Sequence, residues 1–238
     1  MNNEFKKIYK DIEKLLKKNT GEFISLYPGI GLSYLTFSSD SLSIHHKAIS
    51  HIIQINYCKA GQIVWEMKNR NRIYLNPGDF SLHTMKACAN SILSFPSGQY
   101  VGLTIYVDLQ ETSGNPPELL KDSNIFETIL PEKFCQDDSP LFLAGNEQTE
   151  HIFSAFYNQL ETLKLPYQKV KVLELLLYIA KMDFTPKNKL AEYQSDLIET
   201  IHKIHDQLLR CMTERITIED LSKQYLINPT TLKNAFKS

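Results

Sequence analysis

The chain has 238 residues, 42% of them hydrophobic, which is enough for more than one compact unit with a substantial core. Its 26 basic and 27 acidic residues nearly cancel, which excludes a strong overall attraction to nucleic acid or to a membrane surface. The four cysteines are widely spaced and include no Cys-x-x-Cys pair, which favours free thiols over a disulfide framework or a zinc site. No signal peptide or membrane-spanning run is evident, so we expect a cytoplasmic protein without membrane contact.

An amphipathic helix is predicted over residues 4–18, with apolar residues on one side and six lysines around the rest. A basic helix of this kind is typical of an arm that binds a membrane or nucleic acid. It is also typical of a solvated helix lying on the domain behind it, and we prefer this interpretation because such helices are common.

Short alternating strands are predicted between Gly29 and Asp108. The alternation of apolar and polar residues is clear over 53–57, 62–68 and 100–108. Turn formers separate these runs at 59–61, 68–71, 76–79 and 96–98. The pattern predicts an antiparallel sandwich or barrel.

A barrel of this size can enclose one small ligand. Trp65, Phe80, His83 and Tyr106 are candidate ligand-binding residues, because their side chains can stack on a ligand or hydrogen-bond to it. Plain core packing or a surface position is the interpretation we prefer for each of them, since aromatic side chains dominate cores. The alternation alone leaves open which face of each strand points inward.

Patterns that carry catalysis or bind metals are missing from the sequence. The histidines include no His-x-His pair, which would place two imidazoles on one face of a strand. There is no serine nucleophile elbow, P-loop or Gly-x-Gly-x-x-Gly run. We therefore expect no catalytic residues, no metal and no cofactor, with a metal-dependent barrel enzyme as the weakest alternative.

A loop-rich, proline-containing segment is predicted over 115–140, followed by two helices. The first carries apolar residues at helical spacing, namely Ile152, Phe156, Leu160 and Leu163. The second is predicted to open at Pro166 and is apolar around more than half of its circumference, so we expect it to be buried on two sides. The polar segment 185–194 is predicted to be a linker.

The C-terminal region predicts a helix over about 195–212 and then two short helices joined by a tight turn. Thr217 is a candidate N-cap, with Glu219 and Asp220 in the first turn, where negative charge is favoured. Asn228 is a candidate N-cap for the last helix, in which Leu232 and Phe236 form an inward stripe. Its outward side chains are polar: Thr230, Thr231, Lys233, Asn234 and Lys237.

This arrangement is that of a helix-turn-helix, whose second helix reads the major groove of DNA. An ordinary helical hairpin with a solvated polar face is the alternative. The run 228–237 strongly resembles the first helix-turn-helix of the AraC-type transcription regulators. The segments 57–61, 75–80 and 95–102 are similar to the cupin-like sensor domains that precede DNA-binding domains in that family.

The resemblance implies a mixed β and α fold with four parts. They are a cupin-like antiparallel β-barrel with an N-terminal helix over 1–145, a helical pair over 146–184, the linker 185–194, and the first half of an all-α DNA-binding domain over 195–238. It also implies that the helical pair forms the interface of a homodimer, although packing against the barrel alone is nearly as well supported.

The function implied is a sequence-specific transcription regulator that binds promoter DNA, senses an unknown small-molecule effector and is not an enzyme. Asn228 would cap the recognition helix, and Lys237 would bind a backbone phosphate. Base edges or nearby phosphates would be contacted by Thr230, Thr231, Lys233 and Asn234.

Two features depart from the family. Its members carry two helix-turn-helix units joined by a long helix, and this sequence ends at Ser238, so we expect the second unit to be missing, either from a fragment or from a natively short product. Six basic and six acidic residues cancel over 195–238, whereas phosphate contacts normally supply most non-specific affinity. A ligand-binding dimer without DNA activity is therefore the main alternative.

Overall fold

The structure is a computed structural model that describes residues 10, 23–67, 72–136, 140–182, 200–201, 203–208, 216–225, 227, 229 and 232. The chain divides into two compact units, Met1–Asp183 and Phe184–Ser238. Of the helix predicted over 4–18, the structure describes only Lys10, which is helical, and the linker 185–194 lies outside the described residues. Within the described ranges no helix is long and apolar enough to cross a membrane.

The described part of the first unit is built on ten strands in two sheets. The strands are β1 Phe23–Tyr27, β2 Ile30–Phe37, β3 Ser41–Ile44, β4 Ile52–Gly61, β5 Ile63–Glu66, β6 Arg72–Leu75, β7 Phe80–Thr84, β8 Ser91–Ser94, β9 Tyr100–Asp108 and β10 Leu141–Leu143. A large sheet has the order β1-β2-β9-β4-β7-β10 and a small sheet has the order β3-β8-β5-β6. Every pairing is antiparallel, as the alternating pattern predicts.

The prediction of a closed barrel is wrong, because the two sheets share no ladder among the described strands. A strand has only two edges for hydrogen bonding. The outer edge of β2 pairs with β1, and the outer edge of β7 pairs with β10. The large sheet therefore ends at β1 and β10, neither of which pairs with a described strand of the small sheet, and the small sheet faces the large one without closing onto it.

Two of the predicted turns show why the strands end where they do. Asp79 donates its backbone N–H to the Asn76 carbonyl at 3.0 Å, and its carboxylate accepts from the Asn76 amide at 3.0 Å. Gly61, the last residue of β4, has φ +79°, and a Cβ there would collide with the Gln99 carbonyl oxygen. A glycine is therefore required at the corner where the chain passes from the large to the small sheet.

The large sheet is covered on both faces. Its inner face meets the small sheet in one apolar cluster, in which Phe37, Cys58 and Tyr100 pack with Trp65. Its outer face meets the helices, where Phe153 stacks on Tyr57 with ring centroids 4.1 Å apart. The two faces alternate along each strand, so one strand supplies both interfaces.

Helical segments follow β9. They are α1 Leu109–Gly114, a 3-10 turn Glu118–Leu120, a π-helical turn Ile125–Ile129, α2 Leu130–Phe134, α3 Glu147–Ser154 and α4 Glu161–Lys181. The prediction of a loop-rich segment over 115–140 is therefore wrong in part. Two of its four prolines lie where helices tolerate them: Pro117 is the N-cap of the 3-10 turn, and Pro131 lies in the first turn of α2.

The helical pair is present, with boundaries that differ from the prediction. The first helix ends at Ser154, so Phe156 lies in the connection. The second begins at Glu161, and Pro166 lies inside it rather than opening it. Asn146 and Thr149 form a capping box that starts α3. Proline in the second turn of α4 costs that helix one backbone hydrogen bond without ending it.

In the second unit, residues 203–208 are helical and α5 spans Ile218–Tyr225. The predicted cap at Thr217 is present: its hydroxyl accepts from the Asp220 amide at 3.2 Å, and the Asp220 carboxylate accepts from the Thr217 amide at 3.2 Å. Ile204, Leu221 and Leu232 form a buried cluster. Leu232 thus points inward as predicted, while Phe236 lies outside the described residues.

Candidate functional site

Three of the four predicted ligand-binding residues lie on the inner side of the two sheets. Trp65 on β5, His83 on β7 and Tyr106 on β9 are all buried. The rings of Trp65 and His83 pack edge to face, with their centroids 4.7 Å apart and an angle of 89° between the ring planes. Tyr106 pairs across the strands with Gln54, and Gln54 pairs with His83, so the three side chains form a row on one face of the large sheet.

Phe80 lies apart from these three residues. It packs against Phe153 on the outer face of the large sheet, with ring centroids 5.5 Å apart. Phe80 and His83 are three positions apart on β7, an odd number, so their side chains point to opposite faces. Phe80 is therefore a core residue between the sheet and α3.

A second row of polar residues adjoins the first. Ser33 pairs with Thr104, Thr104 with Asn56, and Asn56 with Ser81, across β2, β9, β4 and β7. We call the two rows together the polar patch. Its members are Ser33, Gln54, Asn56, Ser81, His83, Thr104 and Tyr106, and all of them are buried.

Asn56 holds the polar patch together through hydrogen bonds. Its side-chain oxygen accepts from the Thr104 hydroxyl at 2.8 Å. Its side-chain nitrogen donates to Ser81 Oγ at 3.4 Å and to His83 Nε2 at 3.0 Å. Nε2 of His83 is then the acceptor, so the ring proton lies on Nδ1, which is 3.4 Å from the Thr84 carbonyl oxygen.

The polar patch is uncharged at neutral pH. Burial is the main cause that lowers the pKa of His83 to about 4; the nearby His46 acts in the same direction, and together they outweigh the Thr84 carbonyl, which raises the pKa. Burial also raises the pKa of Tyr106 well above its ordinary value. The remaining members are hydroxyls and carboxamides, which do not titrate.

One hydroxyl in the polar patch has no hydrogen-bond partner among the described residues. Ser33 is fully buried, and its Oγ forms no hydrogen bond within the described part of the chain. Buried polar atoms are nearly always paired with protein, water or a bound molecule, and leaving one unpaired costs about 1–3 kcal/mol. The Ser33 hydroxyl is therefore the member of the patch most available to another molecule.

The patch approaches the surface at His46. Cys88 Sγ lies 3.5 Å from Gln54 Oε1 and 3.5 Å from His46 Nε2, and His46 is half-exposed. Cys58, Cys88 and Cys135 are free thiols, as predicted. Burial raises the pKa of Cys88 to about 12, so this thiol remains protonated and adds no charge.

The sequence predicted His83 and Tyr106 but not the other members of the patch. Polar residues that alternate with Ile53, Ile55 and Tyr57 suggest a solvent face. In fact the apolar residues face the helices, and the polar ones face the small sheet. One signal was present: small polar residues recur at alternate positions on neighbouring strands. Among the described residues no group of three or more His, Cys, Asp or Glu side chains is placed to hold a metal ion.

The predicted DNA-binding residues lie outside the described residues. They are Asn228, Thr230, Thr231, Lys233, Asn234 and Lys237. Within the same segment, residue 229 is helical, and Leu232 is both helical and buried. Their contacts with DNA stay a prediction.

Helix α4 has an exposed apolar side opposite its buried side. Four side chains form it, with exposed fractions of 46% for Leu163, 43% for Tyr167, 59% for Val170 and 50% for Leu177. Their spacing of four, three and seven residues places them along one side of the helix. We call them the α4 stripe. The sequence predicted that both sides of this helix are buried. In the single chain one side is buried and the other, the α4 stripe, is exposed.

A comparison with solved structures found several that are similar to this chain. ToxT from Vibrio cholerae matches over 87% of this chain and 74% of its own, with 12% identity and a TM-score of 0.43. CuxR, an AraC-like transcriptional activator, matches over 88% of this chain and 71% of its own, with 10% identity and a TM-score of 0.37. An RmlC-like cupin protein from Desulfovibrio desulfuricans matches over 38% of this chain and 82% of its own, with 11% identity and a TM-score of 0.32.

The sequence matches no protein-family model, and no curated protein matches it. The structural neighbours include an AraC-like regulator and a cupin-like protein, but at identities and scores too low to carry function. The functional proposal therefore rests on the residues of this chain.

Proposed function

We propose that the protein is a sequence-specific DNA-binding transcription regulator that senses a small molecule through its first unit. The observation that carries the proposal is the start of α5. Thr217 caps this helix together with Asp220, and Leu221 packs with Ile204 and Leu232. A capped first helix with this inward side is what the helix-turn-helix pattern of the sequence requires.

The last helix supplies the contacts with DNA. Asn228 caps it, and Lys237 binds a backbone phosphate. Base edges or nearby phosphates are contacted by Thr230, Thr231, Lys233 and Asn234. These side chains combine the hydroxyl, carboxamide and ammonium groups that read bases and neutralise phosphates.

Titration of promoter DNA from the adjacent operon in a mobility-shift assay tests this proposal. Asn234→Ala should cost about 1–3 kcal/mol at one base position and relax specificity there. Lys237→Ala should weaken all sites alike and reduce the salt dependence of binding. Lys121→Ala, an exposed lysine of the first unit, is the control and should change neither. Failure of the unaltered protein to select any site would contradict the proposal.

The sensor function belongs to the polar patch between the two sheets. It brings seven hydrogen-bonding side chains together on four strands, and the Ser33 hydroxyl among them has no partner within the described residues. Trp65, His83 and Tyr106 are the predicted ligand-binding residues that take part. A buried, convergent set of polar groups facing an apolar wall is typical of small-molecule sites.

Homodimerisation through α4 completes the proposal. The α4 stripe leaves four large apolar side chains 43–59% exposed on one helix. Glu174 lies on the same side of the helix, between Val170 and Leu177, and its Oε2 is 2.7 Å from Lys171 Nζ. An exposed apolar stripe at a spacing of three and four residues suits packing against the same helix of a second chain.

The alternative is a ligand-binding dimer without DNA activity. The observation in its favour is the zero net charge of residues 195–238, which have six basic and six acidic side chains. The mobility-shift titration separates the two functions, because the alternative requires an intact dimer that retards no DNA, even at low salt.

A further inference from the structure

We infer that Lys133 holds the end of α4 in place and thereby determines which spacing of two DNA half-sites the dimer recognises. This inference rests on the proposed DNA-binding and dimer functions, and it adds a positioning residue that lies outside the DNA-binding segment. It follows from how α4 ends, close to the point where the chain passes into the second unit.

Helix α4 ends without the glycine that commonly closes a helix. Its C-cap is Met182, with φ −60° and ψ 134°, and Asp183 follows. The Met182 amide donates to the carbonyls of Tyr178 and Ile179, each at 3.2 Å. The carbonyls of Ala180 and Met182 need other partners, because the last four carbonyls of a helix have none within it.

Lys133 of α2 supplies these partners. Its ammonium donates to the carbonyl oxygens of Ala180 and Met182, both at 2.5 Å. The negative end of the helix dipole favours a cation at this position, and hydrogen bonds from a charged donor are about twice as strong as neutral ones. We call these two hydrogen bonds the Lys133 clamp.

Helix α2 holds Lys133 against the rest of the first unit. Leu130 and Phe134 of this helix are buried, and Sγ of its C-cap, Cys135, lies 3.6 Å from the Ser50 carbonyl oxygen. Lys133 itself is half-buried, so solvent ions screen its hydrogen bonds less than those of a surface lysine. The Lys133 clamp therefore ties the end of α4 to the body of the first unit.

The Lys133 clamp lies where the chain leaves the first unit. Met182 is two residues before Phe184, at which the second unit begins, and five residues after Leu177 of the α4 stripe. In a dimer built on the stripe, an intact last turn gives both chains fixed points of departure. Unwinding one turn adds about 7 Å to the reach of each chain, since a residue spans about 3.4 Å when extended and about 1.5 Å in a helix. The clamp therefore restricts the dimer to half-sites at one spacing.

Mobility-shift titrations with two DNA fragments test the control of spacing. One fragment carries the two half-sites that the unaltered protein selects, and the other has about 5 additional base pairs between them, which turns one half-site to the opposite face of the DNA. The unaltered protein should bind the lengthened fragment ~100-fold more weakly, because the second half-site is out of reach. Lys133→Met keeps the side-chain stem but removes the donors, and should bind the lengthened fragment at most ~10-fold more weakly than the first. The matched control is Lys181→Met, which removes an exposed lysine from the same helix end and should behave like the unaltered protein.

Hydrogen–deuterium exchange of the full chain tests the clamp without DNA. Lys133→Met should speed exchange in the last turn of α4 by at least ~10-fold and leave β4 and β9 unchanged, whereas Lys181→Met should leave all three unchanged. Unaltered exchange in Lys133→Met, or faster exchange throughout the chain, overturns the inference. Faster exchange in the last turn alone, with the spacing preference of the unaltered protein, also overturns it and assigns Lys133 a structural role only. If the unaltered protein selects no DNA site, the proposed function is overturned together with the control of spacing.

Discussion

Asp108 is a buried carboxylate with one clear structural role. Its Oδ1 accepts from the backbone amides of Gln110 and Glu111 at 3.0 and 3.2 Å, which caps α1. Burial nevertheless raises its pKa, because desolvation outweighs these hydrogen bonds and the attraction of His51. The charge is therefore tolerated at neutral pH at some cost in stability.

Replacing Asp108 with Asn should stabilise the protein at pH 7, because the amide oxygen keeps the cap while the buried charge is removed. A raised folded pKa means that the folded state binds the proton more readily than the unfolded state. Wild-type stability therefore falls as pH rises from the unfolded to the folded pKa, and the advantage of the variant should disappear in acid. Urea unfolding from pH 4 to 8 measures this. Asp108→Ala loses the cap and should cost about 0.5–2 kcal/mol; a less stable Asn variant at pH 7 would contradict the argument.

His83 predicts the opposite pH dependence. Its folded pKa of about 4 lies below its ordinary value of 6.5, so the unfolded state binds more protons between these values. The free energy of unfolding should fall by about 3 kcal/mol as pH drops through this window. His83→Gln should remove this dependence, whereas Ser81→Ala, which keeps the imidazole, should retain it. An NMR titration of the His83 ring near 6.5 in the folded protein would contradict the prediction.

At the scale of single residues, the sequence singled out three aromatic side chains of the candidate site and missed the smaller polar ones beside them; that any of them contacts a ligand stays a prediction. Trp65, His83 and Tyr106 were chosen because aromatic side chains can stack and hydrogen-bond, and the structure buries them on the inner side. Asn56 and Thr104 were missed because alternation has two solutions, and only the partner of each face decides between them. The helices on the outer face, not water, determine which side of β4 is apolar.

At the scale of elements, the presence of each helix was easier to predict than the residues at which it begins and ends. The period of apolar residues predicted both helices of the pair, but Pro166 was taken as the start of α4. The helix begins five residues earlier at Glu161, because tertiary packing of Val172, Leu176 and Ile179 outweighs the one hydrogen bond that proline removes. Sequence spacing does not reveal such compensation.

The α4 stripe leads to a prediction about assembly. Leu177→Glu places a charge in the proposed dimer contact and should convert the dimer to a monomer in sedimentation or light-scattering experiments. Folding should be retained, because Leu177 is 50% exposed in the single chain. The matched control is Ile92→Glu on β8 of the small sheet, where Ile92 is 49% exposed. A monomeric wild-type protein, or a dimeric Leu177→Glu variant, would contradict the assignment of this interface.

At the scale of the whole molecule, antiparallel pairing was predictable and sheet closure was not. Alternation and turn punctuation are local properties, and they predicted β4, β5 and β9 within a strand region from Gly29 to Asp108, whereas β1 and β10 lie outside that region. Closure depends on which strands occupy the edges of β2 and β7, and β10 comes from a distant part of the chain, beyond α2. Alternation in the sequence carries no information about such an edge.

The charge balance of residues 195–238 predicts how two copies of the chain cooperate on DNA. A region with six basic and six acidic residues neutralises few phosphates, so one copy alone should bind weakly. Two copies joined through the α4 stripe raise the effective concentration of the second, provided that the linkers let both reach their half-sites, and avidity gains of ~100-fold or more are common. Leu177→Glu should therefore weaken binding to a promoter fragment with two half-sites by ~100-fold, while leaving binding to a single half-site unchanged. Ile92→Glu should affect neither fragment. Equal binding of wild type and Leu177→Glu to the two-site fragment would show that dimerisation contributes nothing to DNA recognition.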